Sequence, residues 1–125
     1  MRLLVLGGTA FLGRAIVAHA VADGIDVTCV ARGTAAAPPG VRLVVADRDH
    51  DDALRGVGSG WDAVVDVTRQ PGHARRAVRD VRAGHWVFVS SGNVYARFDE
   101  PEQDESAALL APRRNEKCDV TCSSA

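Results

Sequence analysis

A chain of 125 residues, 46% of them hydrophobic, can bury one core but not two, so a single compact domain is expected. Its 15 basic and 16 acidic residues leave a formal net charge of −1, which excludes broad electrostatic attraction to nucleic acid or anionic lipid and points to a small-molecule partner. No stretch approaches the roughly 20 apolar residues of a membrane span, and the apolar run Leu3 to Leu6 is too short for a secretory signal, so a cytoplasmic protein is expected.

The run Leu3-Leu4-Val5-Leu6 breaks at Gly7-Gly8 and gives way to an amphipathic segment, which reads as strand, tight turn, helix. Glycines in such a turn let the backbone approach a pyrophosphate, while N–H groups and the dipole at the helix start favour negative charge. Gly7, Thr9, Ala10, Phe11, Leu12 and Gly13 are therefore candidate cofactor-binding residues. In the spacing Gly7-x-x-Ala10-x-x-Gly13 an alanine stands where the dinucleotide fingerprint has its middle glycine. Taken alone, the turn is also compatible with a plain reversal from strand to helix.

A helix is predicted from Leu12 to Asp23, with Leu12, Ile16 and Ala20 on one face and Gly24 as its stop. Asp26 to Ala31 is the second strand, ending at Arg32. In a dinucleotide fold this end faces the adenosine ribose. An acidic residue there suits NAD and an arginine suits a 2′-phosphate, so Arg32 favours NADP over NAD; the alternative is that Arg32 opens a solvated loop. After the loop Thr34 to Gly40, the third strand Val41 to Ala46 leads into Asp47-Arg48-Asp49. Asp47, with Arg48 beside it, is placed to reach the adenine. It is equally placed to cap a short helix from Asp51 to Gly56.

Gly58 to Gly60 is a turn and Trp61 to Thr68 the fourth strand. Thr68 to Gly72 follows at its carboxyl end, where ligands of open α/β sheets bind, which makes Thr68 a candidate against the alternative of a plain loop. A helix is predicted from His73 to Ala83, stopped by Gly84. Its Arg75, Arg79 and Arg82 share a face that would suit phosphate, the alternative being a solvated helix face. The fifth strand, His85 to Val89, delivers Ser90-Ser91-Gly92-Asn93-Val94-Tyr95 to the same edge of the sheet. Five strands alternating with four helices predict an α/β fold with a doubly wound parallel sheet in the order 3-2-1-4-5. Of the three cysteines, Cys29 lies in a predicted strand and Cys118 and Cys122 near the end. The odd count without an export signal implies reduced thiols, and Cys118-x-x-x-Cys122 has no histidine near it in sequence, so no metal site is expected.

Together, Gly7-Gly8-Thr9-Ala10-Phe11-Leu12-Gly13, Asp47-Arg48-Asp49, Trp61-Asp62-Ala63-Val64-Val65-Asp66 and Val89-Ser90-Ser91-Gly92-Asn93-Val94-Tyr95 resemble the extended short-chain dehydrogenase/reductase family, and within it the NAD-dependent epimerase/dehydratase group. The resemblance covers roughly residues 1 to 110. It implies a Rossmann domain, a nicotinamide dinucleotide cofactor, and substrates that are nucleotide sugars or related carbonyl and hydroxyl compounds. By the same resemblance Gly7, Ala10 and Gly13 would line the pyrophosphate, Arg32 the 2′-phosphate and Asp47 the adenine. Ser91 would take the place of the catalytic Ser or Thr that hydrogen-bonds the substrate oxygen.

The family's remaining catalytic pair is a Tyr-x-x-x-Lys, and it cannot be drawn here, because Tyr95 is the only tyrosine and Lys117 the only lysine. Arg113 stands four residues before Lys117, and arginine stays protonated, so it cannot act as a base. Residues 113–125 are polar and lack an amphipathic face. The expectation is thus an NAD(P)-binding domain at 1–112, an atypical disordered tail at 113–125 and no C-terminal substrate domain within the chain. Such a chain reads as a truncated or frame-shifted portion of an oxidoreductase, inactive alone. The alternative functions are a non-catalytic dinucleotide-binding regulator or interaction module, or a domain whose glycine turn serves only the chain reversal. An open edge on the fifth strand predicts self-association.

Overall fold

Leu3, Leu4, Val5 and Leu6 are all buried, and alternate side chains point to opposite faces, as a strand covered on both sides requires. This strand, β1 (Arg2–Leu6), is the centre of a five-stranded sheet. The others are β2 (Asp26–Ala31), β3 (Arg42–Val45), β4 (Trp61–Asp66) and β5 (Ala83–Phe88). Every pairing is parallel and the order is β3-β2-β1-β4-β5, the doubly wound arrangement that the sequence predicts. The computed structural model describes residues 1–112. The tail expected at 113–125, with Arg113, Lys117, Cys118 and Cys122, lies outside the described residues.

Two apolar clusters sandwich the sheet. On one face Leu3, Val5, Val27 and Cys29 meet Val17 and Ala20 of helix α1 (Phe11–Ala22). On the other, Leu4, Leu6, Val30 and Val64 meet Ala77 of helix α2 (Pro71–Asp80), Val81, and Leu54 and Val57 from the connection between β3 and β4. Each fully buried aliphatic side chain contributes about 1.5–3 kcal/mol. Among the described residues no helix is long and apolar enough to cross a membrane.

The sequence predicts four helices; the described residues form two α-helices and a 3-10 turn at Gly92–Val94. The predicted helix at 51–56 is a run of turns instead. His50, Ala53, Arg55 and Val57 donate their N–H groups to the carbonyls of Asp47, His50, Asp52 and Leu54, each three residues back. So short a segment, ending at Gly56, does not propagate a helix, and the burial of Leu54 and Val57 sets its path. Helix α2 also differs from the prediction. Pro71 occupies its first turn, and the helix stops at Asp80 because Val81 turns extended (φ −106°, ψ 135°) to enter the core. Gly84 consequently lies inside β5 rather than at a helix stop, where a Cβ would stand 3.1 Å from the Asp62 carbonyl oxygen.

Candidate functional site

Strand register brings the carboxyl ends level. Leu6 pairs with Val30 on one side and Asp66 on the other, Ala31 pairs with Val45, and Asp66 with Phe88. The residues after each strand therefore line one edge of the sheet in the order Asp47, Arg32, Gly7, Thr68, Ser91.

At the centre of that edge, Gly7 takes φ +97°, and a Cβ on it would stand 2.7 Å from Val67 Cγ2. Gly13 lies in the first turn of α1, so close to the end of β1 that a Cβ would collide with the Gly7 carbonyl oxygen. A Cβ on Gly8 would likewise strike Cys29 Sγ. The turn is thus a backbone cradle with no room for side chains beneath it. Its upper surface is open: Thr9 is half-buried, Ala10 exposed, Leu12 44% exposed and Phe11 95% exposed at φ +33°. Ala10 is the N-cap of α1 and supplies no side-chain oxygen, and no acidic residue stands in the first turn. The N–H groups there, and the positive end of the helix dipole, are free to meet an anion. The donors of this cradle are of the kind that suits a diphosphate.

On the β2 side, Arg32 is exposed just past the strand end. Asp47 is exposed past β3, and its Oδ1 accepts the Asp49 N–H at 3.0 Å, closing a local turn. Since no helix follows, Asp47 caps none. Arg48 points the other way. Its guanidinium donates two hydrogen bonds to Asp66, at 2.9 and 2.8 Å, and one to the His73 carbonyl at 3.0 Å. The side chain that the sequence places with Asp47 at the cofactor is therefore engaged inside the protein. The sequence reading gives Asp66 no partner, although a carboxylate ending an otherwise apolar, buried strand signals one.

On the β4 side, Thr68 donates its N–H to Asp66 Oδ1 at 2.9 Å. Its Oγ1 lies 3.2 Å from His73 Nδ1 and accepts the Gln70 N–H at 3.2 Å. His73 Nε2 in turn lies 2.8 Å from Asp49 Oδ1. That hydrogen bond, helped by the charges of Arg76 and Arg32, holds the Asp49 carboxyl below the usual carboxylate range. Sequence reasoning treats His73 only as the start of a helix; the structure makes it the link between Thr68 and the loop after β3. Of the arginines predicted to share a helix face, Arg79 on α2 is paired with Asp51 and Asp80, and Arg82, past the end of α2, donates to the Val78 and Arg79 carbonyls, so both serve internal contacts.

Ser91 is exposed beyond β5, its Oγ accepting the Asn93 N–H at 3.2 Å as the chain enters the 3-10 turn. Cys29 is buried, and burial pushes its thiol up to about 11, which makes it an inert packing residue. Among the described residues no group of three or more His, Cys, Asp or Glu side chains is placed to hold a metal ion.

A doubly wound parallel sheet with a glycine cradle at the end of its central strand defines a class, the Rossmann-like α/β domains. The sequence profile of the NAD dependent epimerase/dehydratase family matches residues 3–82, and the chain belongs to that family. Among solved structures it is similar to a UDP-galactose 4-epimerase, at 22% identity and a TM-score of 0.70, over 88% of this chain and 45% of that one. The UDP-N-acetylglucosamine 4-epimerase of Bacillus cereus matches at 21% identity and a TM-score of 0.66, over 88% and 44% of the two chains. Vestitone reductase of alfalfa (Medicago sativa L.) matches at 20% and 0.60, over 75% and 37%. At these identities the likeness is one of fold, and this chain spans less than half the length of each of the three. No curated protein matches the sequence significantly.

Proposed function

We propose that residues 1–112 are the dinucleotide-binding domain of an epimerase/dehydratase-type oxidoreductase, acting in the cytoplasm, that takes NADP in preference to NAD. The observation that carries this reading is the cradle at Gly7, Gly8 and Gly13, closed to side chains below and open above to an uncapped helix start. In this reading the N–H groups of the 7–13 turn hold the diphosphate, and Arg32 meets the adenosine 2′-phosphate. Asp47 reaches the adenine amino group, Thr68 faces the second ribose, and Ser91 holds the substrate oxygen. Arg48, locked on Asp66, acts by fixing the loop that carries Asp47. The nicotinamide supplies hydride transfer when bound. The chain's own contribution is to orient it and exclude water beneath the turn.

The proton side of the reaction is incomplete within these 125 residues, since Tyr95 and Lys117 form no Tyr-x-x-x-Lys. The chain alone is therefore expected to bind dinucleotide without measurable turnover, and the same observation favours a second reading as a non-catalytic dinucleotide-binding regulator. A nucleotide sugar, or another small carbonyl or hydroxyl compound, is the substrate class proposed for the complete site.

Fluorescence titration with NADPH and NADH tests the binding reading. NADPH is expected to bind more tightly, and Arg32→Ala to weaken NADPH by about tenfold, the scale of one charge-assisted hydrogen bond, while leaving NADH unchanged. Saturation by neither ligand would refute dinucleotide binding. Tighter NADH would refute the role of Arg32 alone.

A further inference from the structure

We infer that His73 is a positioning residue that fixes the Thr68 hydroxyl as a hydrogen-bond acceptor at the carboxyl edge of β4, and that the group it receives is a ribose hydroxyl of the dinucleotide. This rests on the dinucleotide reading above. The direction of each hydrogen bond follows from counting donors. Asp49 is ionised and can only accept, so at 2.8 Å the proton belongs to His73 Nε2. In the neutral imidazole Nδ1 then carries only a lone pair, and the Thr68 hydroxyl, 3.2 Å away, donates to it. One of the two lone pairs of Oγ1 takes the Gln70 N–H at 3.2 Å. The other is left for a ligand, and Thr68 is only half-buried.

The sheet order says which part of the ligand arrives there. β4 lies beside β1 on the side away from β2. With the diphosphate over the Gly7 turn and the adenosine toward Arg32, the other ribose lies over the end of β4. A ribose offers hydroxyl donors, whereas an ionised phosphate offers none. A fixed acceptor at Thr68 therefore selects the sugar at this end and rejects an anion. The relay is held from behind, because the His73 carbonyl takes Arg48 and Thr68 N–H is given to Asp66.

The test uses the full chain and two readouts. Long-range nitrogen–proton NMR at neutral pH, with the His73 signal assigned by its loss in His73→Asn, is expected to show the Nε2–H tautomer; a neutral Nδ1–H tautomer, or an imidazolium protonated on both nitrogens, overturns the inference. Titrations then compare NADPH with adenosine 2′,5′-bisphosphate, which carries the adenosine half and lacks the second ribose. Thr68→Val and His73→Phe are expected to weaken NADPH by about three- to tenfold, the loss of one hydrogen bond, and to leave the bisphosphate unchanged. Thr68→Ser, which keeps the hydroxyl, is expected to bind NADPH like the wild type, and His73→Asn, whose amide oxygen can stand in for Nδ1 as acceptor, to retain most of the affinity. Equal weakening of both ligands would make the role structural and overturn the inference. Unchanged NADPH affinity in Thr68→Val, with the bisphosphate still bound, overturns it while the dinucleotide reading stands. A wild type that binds neither ligand overturns both.

Discussion

Asp66 ends β4 with 1% of its surface exposed, and a carboxylate there is tolerable because Arg48, itself 8% exposed, meets it through two hydrogen bonds. The Nε atom of that guanidinium is nevertheless buried without a partner, so the pair is not fully compensated. Removing one member is expected to cost far more than removing both. Arg48→Met should lower the unfolding free energy by about 3–5 kcal/mol, and Arg48→Met with Asp66→Leu by much less; urea unfolding of both variants measures the difference. Equal losses would show that the two charges do not depend on each other. Asp49 gives a second residue-scale expectation. Its carboxyl is held below the ordinary value of 3.8, chiefly by His73, so it stabilises the fold fully above about pH 5. That contribution fades as pH falls through 3.8 and below, when the folded carboxylate is protonated in turn. The Tm gap between wild type and Asp49→Asn should therefore be widest near neutral pH and narrow as the pH falls below 3.8. Because the Asp49 side chain is 68% exposed, the gap should be small and should shrink with salt.

The glycine turn sets an element-scale expectation, because it joins β1 to α1 by contacts that no side chain can replace. Gly13→Ala drives a Cβ into the Gly7 carbonyl, and backbone cannot swing aside as a flexible side chain would. A loss of about 1–3 kcal/mol is expected, together with loss of dinucleotide binding. Gly56→Ala, where nothing lies within 4 Å, is the control and should change neither. Thermal melts and the NADPH titration read both. This turn and the strands around it were legible in the sequence because their signals are local: short apolar runs, most of them stopped by a glycine or charged residue, alternate with helical segments, and right-handed crossovers then favour one strand order. The 51–56 segment misled because a helical composition over so few residues does not outweigh the tertiary burial of Leu54 and Val57. The Arg48–Asp66 and Asp49–His73 contacts join residues 18 and 24 apart on different elements, and no periodicity carries such a pairing. Arg48 consequently reads as a cofactor residue and His73 only as a helix start, although both stand next to positions that the sequence does single out.

At the scale of the whole molecule the described residues leave the sheet two edges: β1, β2 and β4 are flanked on both sides, while β3 pairs with β2 alone and β5 with β4 alone. Edge strands are ordinarily protected by lysine, proline or a bulge. β5 reads Ala83-Gly84-His85-Trp86-Val87-Phe88, without a Lys, Arg, Asp, Glu or Pro, and leaves Val87 42% and Phe88 52% exposed. The segment that follows adds Val94, Phe98, Leu109 and Leu110 to the exposed apolar surface. We propose that this chain, by itself in solution, pairs through β5 with a second copy. The edge of β5 offers its N–H and C=O groups to an identical edge, and a two-fold axis across it would make the pairing antiparallel and closed. Sedimentation velocity over a range of concentrations is expected to show a shift from monomer toward dimer. Val87→Lys, which places a charge on each copy where the edges meet, should move the equilibrium back toward monomer while leaving NADPH affinity unchanged, since Val87 precedes the ligand edge and stands two strands from the glycine cradle. A coefficient that stays at the monomer value at every concentration would count against pairing. Association that persists unchanged in Val87→Lys would move the contact from β5 to the apolar surface of residues 94–110.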